Sequence, residues 1–112
     1  DLALTHNPDP ADQARLHLAA ARAAITAGDN HVGREHAAAA ITGFDELGDD
    51  VNAGRAAAAD AEARMVVGEN AAAIAMAEPR WTALEARTDA DPALLDLAAV
   101  LRPRAHAPRQ PR

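Results

Sequence analysis

Three short segments set twenty residues apart decide how this chain folds: Ala27-Gly28-Asp29-Asn30, Leu47-Gly48-Asp49-Asp50 and Val67-Gly68-Glu69-Asn70. In each, a glycine is followed by an acid. Glycine enters the left-handed conformation that closes a helix without steric cost. The acid that follows accepts backbone N–H bonds at the start of the next helix. Helices of about 18 residues joined by turns this short must lie antiparallel. The spacing predicts helices over 10–27, 30–47, 50–67, 70–87 and 92–102.

The repeating unit is a helix pair of forty residues, and self-similarity at a fixed period is the mark of a solenoid. On this register Asp9, Asp49 and Asp89 are equivalent, as are Leu4, Phe44 and Leu84. Asp9-Pro10 opens the first complete pair, with proline at the first helical position, where no N–H is needed. Asp91-Pro92 repeats the device, and Pro103 is expected to end the last helix. Residues 1–7 become the tail of a preceding helix. Pro79 breaks the rule. Inside the fourth helix it removes a backbone bond at a cost of about 3 kcal/mol. A kink or restart is expected there, with Trp81 filling the space it opens.

Composition supports an all-α chain. Of 112 residues 33 are alanine, and the aromatics are Phe44 and Trp81. Alanine combines the best helix propensity with close backbone approach. Strand-like alternation and β-branched runs are missing. The chain has no cysteine, serine, tyrosine or lysine. That removes disulfides, zinc–thiolate sites and Ser- or Cys-based catalytic triads. No apolar run approaches the roughly 20 residues of a membrane span, and no signal segment opens the chain; a cytoplasmic location is expected. The chain opens within an apolar pattern, Leu2-Ala3-Leu4, without methionine, and reads as part of a longer protein.

The net charge of −6 argues against a phosphate-binding body. Residues 103–112 run basic and proline-rich, with Arg104, Arg109 and Arg112, and read as a disordered tail after a helical domain over 1–102. No aromatic residue interleaves with these arginines to stack on bases, so nucleic acid is not an expected partner.

The run Gly28-Asp29-Asn30-His31-Val32-Gly33-Arg34-Glu35-His36 through Phe44-Asp45-Glu46-Leu47-Gly48-Asp49 resembles a tetratricopeptide repeat of the long-helix kind. Such arrays occur in bacterial transcriptional regulators and signalling ATPases. The family's small residues at helix crossings are matched by Ala21, Gly33 and Ala40 in the first pair and by Ala61 and Ala73 in the second. Arg80 takes the last such point, Asn30 and Asn70 replace the usual tyrosine, and Asp45 replaces the helix-ending proline. The resemblance covers most of residues 1–102.

It implies that first helices of successive pairs line a concave surface. On the register, Arg15 and Arg55 share one row, Leu18 and Ala58 a second, Arg22, Glu62 and Arg102 a third, and Ile25 and Met65 a fourth. Arg15, Leu18, Arg22, Ile25, Arg55 and Glu62 are therefore the candidate partner-binding residues. Arginine rows flanking small apolar positions suit a peptide carboxylate, because the guanidinium fork binds it bidentately. The plain alternative is solvated helix charges. The lysine/asparagine carboxylate clamp of chaperone-binding family members is absent.

Other constellations carry less. His31 and His36 stand five apart and do not share a helix face, whereas helical metal ligands want spacings of three or four. His17, among alanines, reads as a packing residue. The acids Asp49, Asp50, Asp89 and Asp91 sit at helix starts, where they stabilise free N–H groups and the helix dipole. No catalytic residue, metal or cofactor is expected. The functional expectation is a protein–protein interaction scaffold from the C-terminal repeats of a larger regulatory protein, with a protein or peptide partner and self-association through open repeat ends. The alternative is a sensor for a small ligand or signal peptide that modulates an attached DNA-binding or ATPase domain.

Overall fold

The computed structural model describes residues 9–106, with side chains as far as Leu101. The expected helix at 1–7 and the end of the basic tail lie outside the described residues. Five helices follow one another: α1 (Pro10–Thr26), α2 (Asn30–Glu46), α3 (Asp50–Val66), α4 (Asn70–Leu84) and α5 (Asp91–His106). No described residue is in a strand.

The three Gly-acid segments form the turns expected of them. Gly28, Gly48 and Gly68 have φ of 90°, 72° and 87°. In each turn the residue after the glycine donates its N–H back into the preceding helix: Asp29 to the Ala24 carbonyl at 2.8 Å, Asp49 to Phe44 at 2.9 Å, Glu69 to Arg64 at 2.8 Å. These bonds satisfy carbonyls that a helix end leaves open. The caps are shared unequally. Asp9, Asp29 and Asp49 accept N–H bonds from Asp12, Val32 and Asn52 at 2.8, 3.2 and 3.1 Å. Glu69 makes no side-chain cap bond. Its carboxylate lies 3.7 Å from Arg34 and 3.5 Å from Arg64.

Two boundaries differ from expectation, and each has a local cause. Helix α4 runs unbroken through Pro79 and stops at Leu84 instead of 87. Proline has no N–H, so the Ala75 carbonyl loses its donor. Ala75 and Pro79 are both exposed, so water can serve that carbonyl and the ring faces solvent. Trp81 packs half-buried against the second core, and its indole donates to Glu85 at 3.1 Å. Past Leu84 the chain turns because Arg87 holds Asp89 through two bonds, 2.9 and 2.8 Å, and Ala90 tucks fully inside. Helix α5 begins at Asp91 and passes through Pro103 to His106. Residues 103–106, expected as the start of the tail, are helical.

Two core clusters flank α3. One joins Ala14, Leu18 and Ala21 of α1 with Ala37, Ala40 and Phe44 of α2 and Ala53, Ala56 and Ala59 of α3. The other joins Ala58 and Ala61 of α3 with Ala73, Ala77 and Leu84 of α4 and Ala90, Ala93, Leu97 and Val100 around α5. Helix α3 packs against all four others, whereas no Cα of α2 comes within 8 Å of α4. That explains its composition: buried on several sides, it needs small residues nearly all round, and of its nine buried residues all but Asp60 are alanine or glycine.

The crossing of α1 and α2 rests on small residues, Ala21, Gly33 and Ala40. Ala21 and Ala40 are fully buried, and Gly33 is buried between them. A Cβ on Gly33 would stand 2.5 Å from Ile25 Cγ1 and 3.2 Å from the Ala21 carbonyl oxygen. Replacing glycine by alanine within a helix normally gains about 1 kcal/mol, but overpacking costs about 1–3 kcal/mol. Gly33→Ala is expected to lower stability by about 1 kcal/mol in urea denaturation. A stabilised Gly33→Ala protein would show that the helices do not approach this closely.

A candidate interaction groove

Helix α1 contributes its C-terminal half, α3 the floor, and α5 the far wall of a groove of about 630 Å³. Arg22, Ile25, Arg55, Glu62, Met65 and Leu95 line it, with Val66, Asp96 and Ala99. Four of the six expected partner-binding residues, Arg22, Ile25, Arg55 and Glu62, are thus brought together. Two are not. Leu18 is only 6% exposed, because α1 turns it into the first core against α2 and α3. Arg15 lies outside the groove wall, one turn from Asp12 of its own helix, whose carboxylate it binds.

The residues from α5 went unnoticed in the sequence. Leu95, 70% exposed, and Asp96 stand on the wall facing Arg55. The forty-residue register would have placed Leu95 in the row of Arg15 and Arg55. Asp96 Oδ2 accepts from Arg22 at 2.7 Å and from Arg55 Nε at 3.0 Å. One carboxylate from the last helix therefore ties the first helix to the third.

Outside the groove, arginines hold the splayed helices. Asp60 is the buried charged residue of the core, 3% exposed, on the alanine face of α3. A buried carboxylate needs a counter-charge, and Asp60 has two: Arg64 at 3.1 Å and Arg34 of α2 at 3.5 Å. Arg80 of α4 grips Asp45 of α2 through a bidentate pair, 2.8 and 2.9 Å. This ion pair spans two helices, α2 and α4, whose Cα atoms stay more than 8 Å apart. His17 and His36 also meet, Nδ1 to Nδ1 at 3.0 Å with ring centroids 5.3 Å apart. The centroid separation is the head-on geometry of one imidazole donating to the other. His17 is a packing residue with a partner that sequence distance concealed.

Among the described residues, no three His, Cys, Asp or Glu side chains gather as a metal site, and no helix is long and apolar enough to cross a membrane. Comparison of the sequence with models of protein families, with curated proteins and with solved structures gives no match.

The hydrogen bonds from Arg80 hold the Asp45 carboxyl below its ordinary value of 3.8. A carboxyl lowered in the folded state stabilises the fold above its unfolded pKa, and that contribution is lost as pH falls through the folded value. Asp45→Asn should therefore be less stable than the parent at pH 7, and the gap should close between about pH 5 and pH 2. Denaturant titrations across that range check it. A gap independent of pH would mean that the pair contributes nothing through ionisation.

Proposed function

We propose that this chain is a protein–protein interaction module of tetratricopeptide type, in which antiparallel helix pairs stack and the first helices present a shared binding face. Three features support the repeat. The left-handed glycines recur every twenty residues. Helix α3 packs on both α1 and α5, while the Cα atoms of α2 and α4 stay more than 8 Å apart. The small residues expected at crossings are buried.

The observation that carries the function is the groove. It gathers four residues chosen from sequence for partner binding, and its walls keep large apolar side chains in water: Val66 at 63% and Leu95 at 70% exposure. Exposed apolar groups rimmed by charge mark interaction surfaces. Small-ligand sites enclose most of their ligand. Walls this open suit a peptide or a helix of another protein better than a small molecule, which favours the scaffold over the ligand sensor. A place in a larger regulatory protein fits the same reading.

A photo-crosslinking amino acid at Leu95 or Val66, compared with one at Leu47 or Glu78, tests this in the source cell. Discrete protein adducts are expected from the first two positions and not from the second two. Equal adducts from all four, or adducts from Leu47 and Glu78 alone, would exclude the groove as the binding face.

A further inference from the structure

The ion pairs in the groove do not balance locally. Arg22 and Arg55 both rest on a single oxygen of Asp96. Two positive charges share one negative charge, and each five-donor guanidinium commits one N–H to it. Asp96 and both arginines remain about a third exposed, with side-chain values of 32%, 42% and 31%. A guanidinium so placed retains donors in the fork geometry that matches a second carboxylate. Farther along α3, Glu62 lines the same groove and forms no ion pair with another side chain among the described residues. It follows Arg55 by seven residues, about 10 Å along a helix at 1.5 Å per residue. The apolar side chains Met65, Val66 and Leu95 belong to the same lining.

Resting on the reading of this groove as the binding face, we propose that its partner is a peptide segment of matching charge pattern. The segment carries an acidic side chain that joins Asp96 on Arg22 and Arg55. It carries a basic side chain for Glu62 about two helical turns away, with apolar residues between. Charge complementarity sets this choice. An acidic group meets the locally positive end, a basic group meets the Glu62 carboxylate, and the apolar stretch covers Leu95 and Val66. Asp96 acts as a built-in competitor that already occupies part of the arginine pair.

The test begins with a phage-displayed library of random 16-residue peptides selected on the whole chain. Selected peptides are then measured by fluorescence anisotropy. Changing the peptide's acid to glutamine should weaken binding about fivefold on the parent protein and leave it unchanged on the Arg22→Gln/Arg55→Gln protein. Changing its base to glutamine should matter on the parent and not on Glu62→Gln. Asp96→Asn should tighten the acidic peptides, whereas a merely structural Asp96 would make that variant bind more weakly. Leu95→Arg, at an exposed position, should block all of them. Peptides blocked by Leu95→Arg but indifferent to loss of their acid and base would overturn the charge pattern while leaving the groove as the binding face. Peptides that still bind Leu95→Arg, or a selection that enriches none, would overturn the binding face itself.

Discussion

Everything in this fold depends on how closely helices can approach α3. A central helix with leucine or phenylalanine on every side would hold its neighbours at 8–10 Å or more and expose the gaps. Alanine and glycine remove that spacing. At Gly54 an added Cβ would stand 2.8 Å from Leu84 Cδ1 and 3.4 Å from Ala93 Cβ, so the helix meets both the end of α4 and the start of α5 with no room to spare. The bulky residues sit on its neighbours instead: Phe44, Leu84 and Leu97 are the largest fully buried side chains. Large side chains from the flanking helices fill the hollows over a small-residue hub, which is how a core poor in aromatics reaches close packing.

The same geometry produces the groove. Because α3 is slim, α1 and α5 come near enough for Arg22 and Asp96 to touch. Yet in the middle of the groove α3 offers small side chains, Ala58 and Ala59, to floor the space between them. Long arginines then bridge what alanine leaves open. The pattern recurs elsewhere: Arg34 and Arg64 close on Asp60, and Arg80 closes on Asp45. Arginine suits this task because its stem covers apolar surface while its planar head reaches a carboxylate. Between α1, α3 and α5 the bridging leaves two arginines on one carboxylate and apolar side chains such as Leu95 and Val66 exposed.

Much of this was legible in the sequence where local chemistry decides. Glycine at a left-handed turn and aspartate at a helix start act within a few residues, so the turns at Gly28, Gly48 and Gly68 could be placed to within a residue. Pro103 was expected to end its helix, which instead continues to His106. At Pro79 the cost of proline depends on whether the orphaned Ala75 carbonyl is served, and that depends on the exposed face on which it lies, which no local pattern reports. The site was half legible. A period of forty aligns Arg22 with Glu62, but it does not report the rotation of α1 that buries Leu18 and leaves Arg15 with Asp12. Asp96 and the His17–His36 contact join residues 74 and 19 positions apart, and no local pattern encodes such pairs.

The central claim, that α3 is the hub on which the other helices depend, predicts how protection is distributed through the molecule. Hub amides open only when both cores open, so they exchange at the rate of global unfolding. Residue-resolved hydrogen exchange should find the slowest amides between Ala56 and Ala63, with α1 and α5 faster and the turns at Gly28 and Gly68 fastest. Slowest exchange confined to α1 and α2, with α3 opening as readily as the turns, would show a fold held by separate helix pairs and would contradict the account.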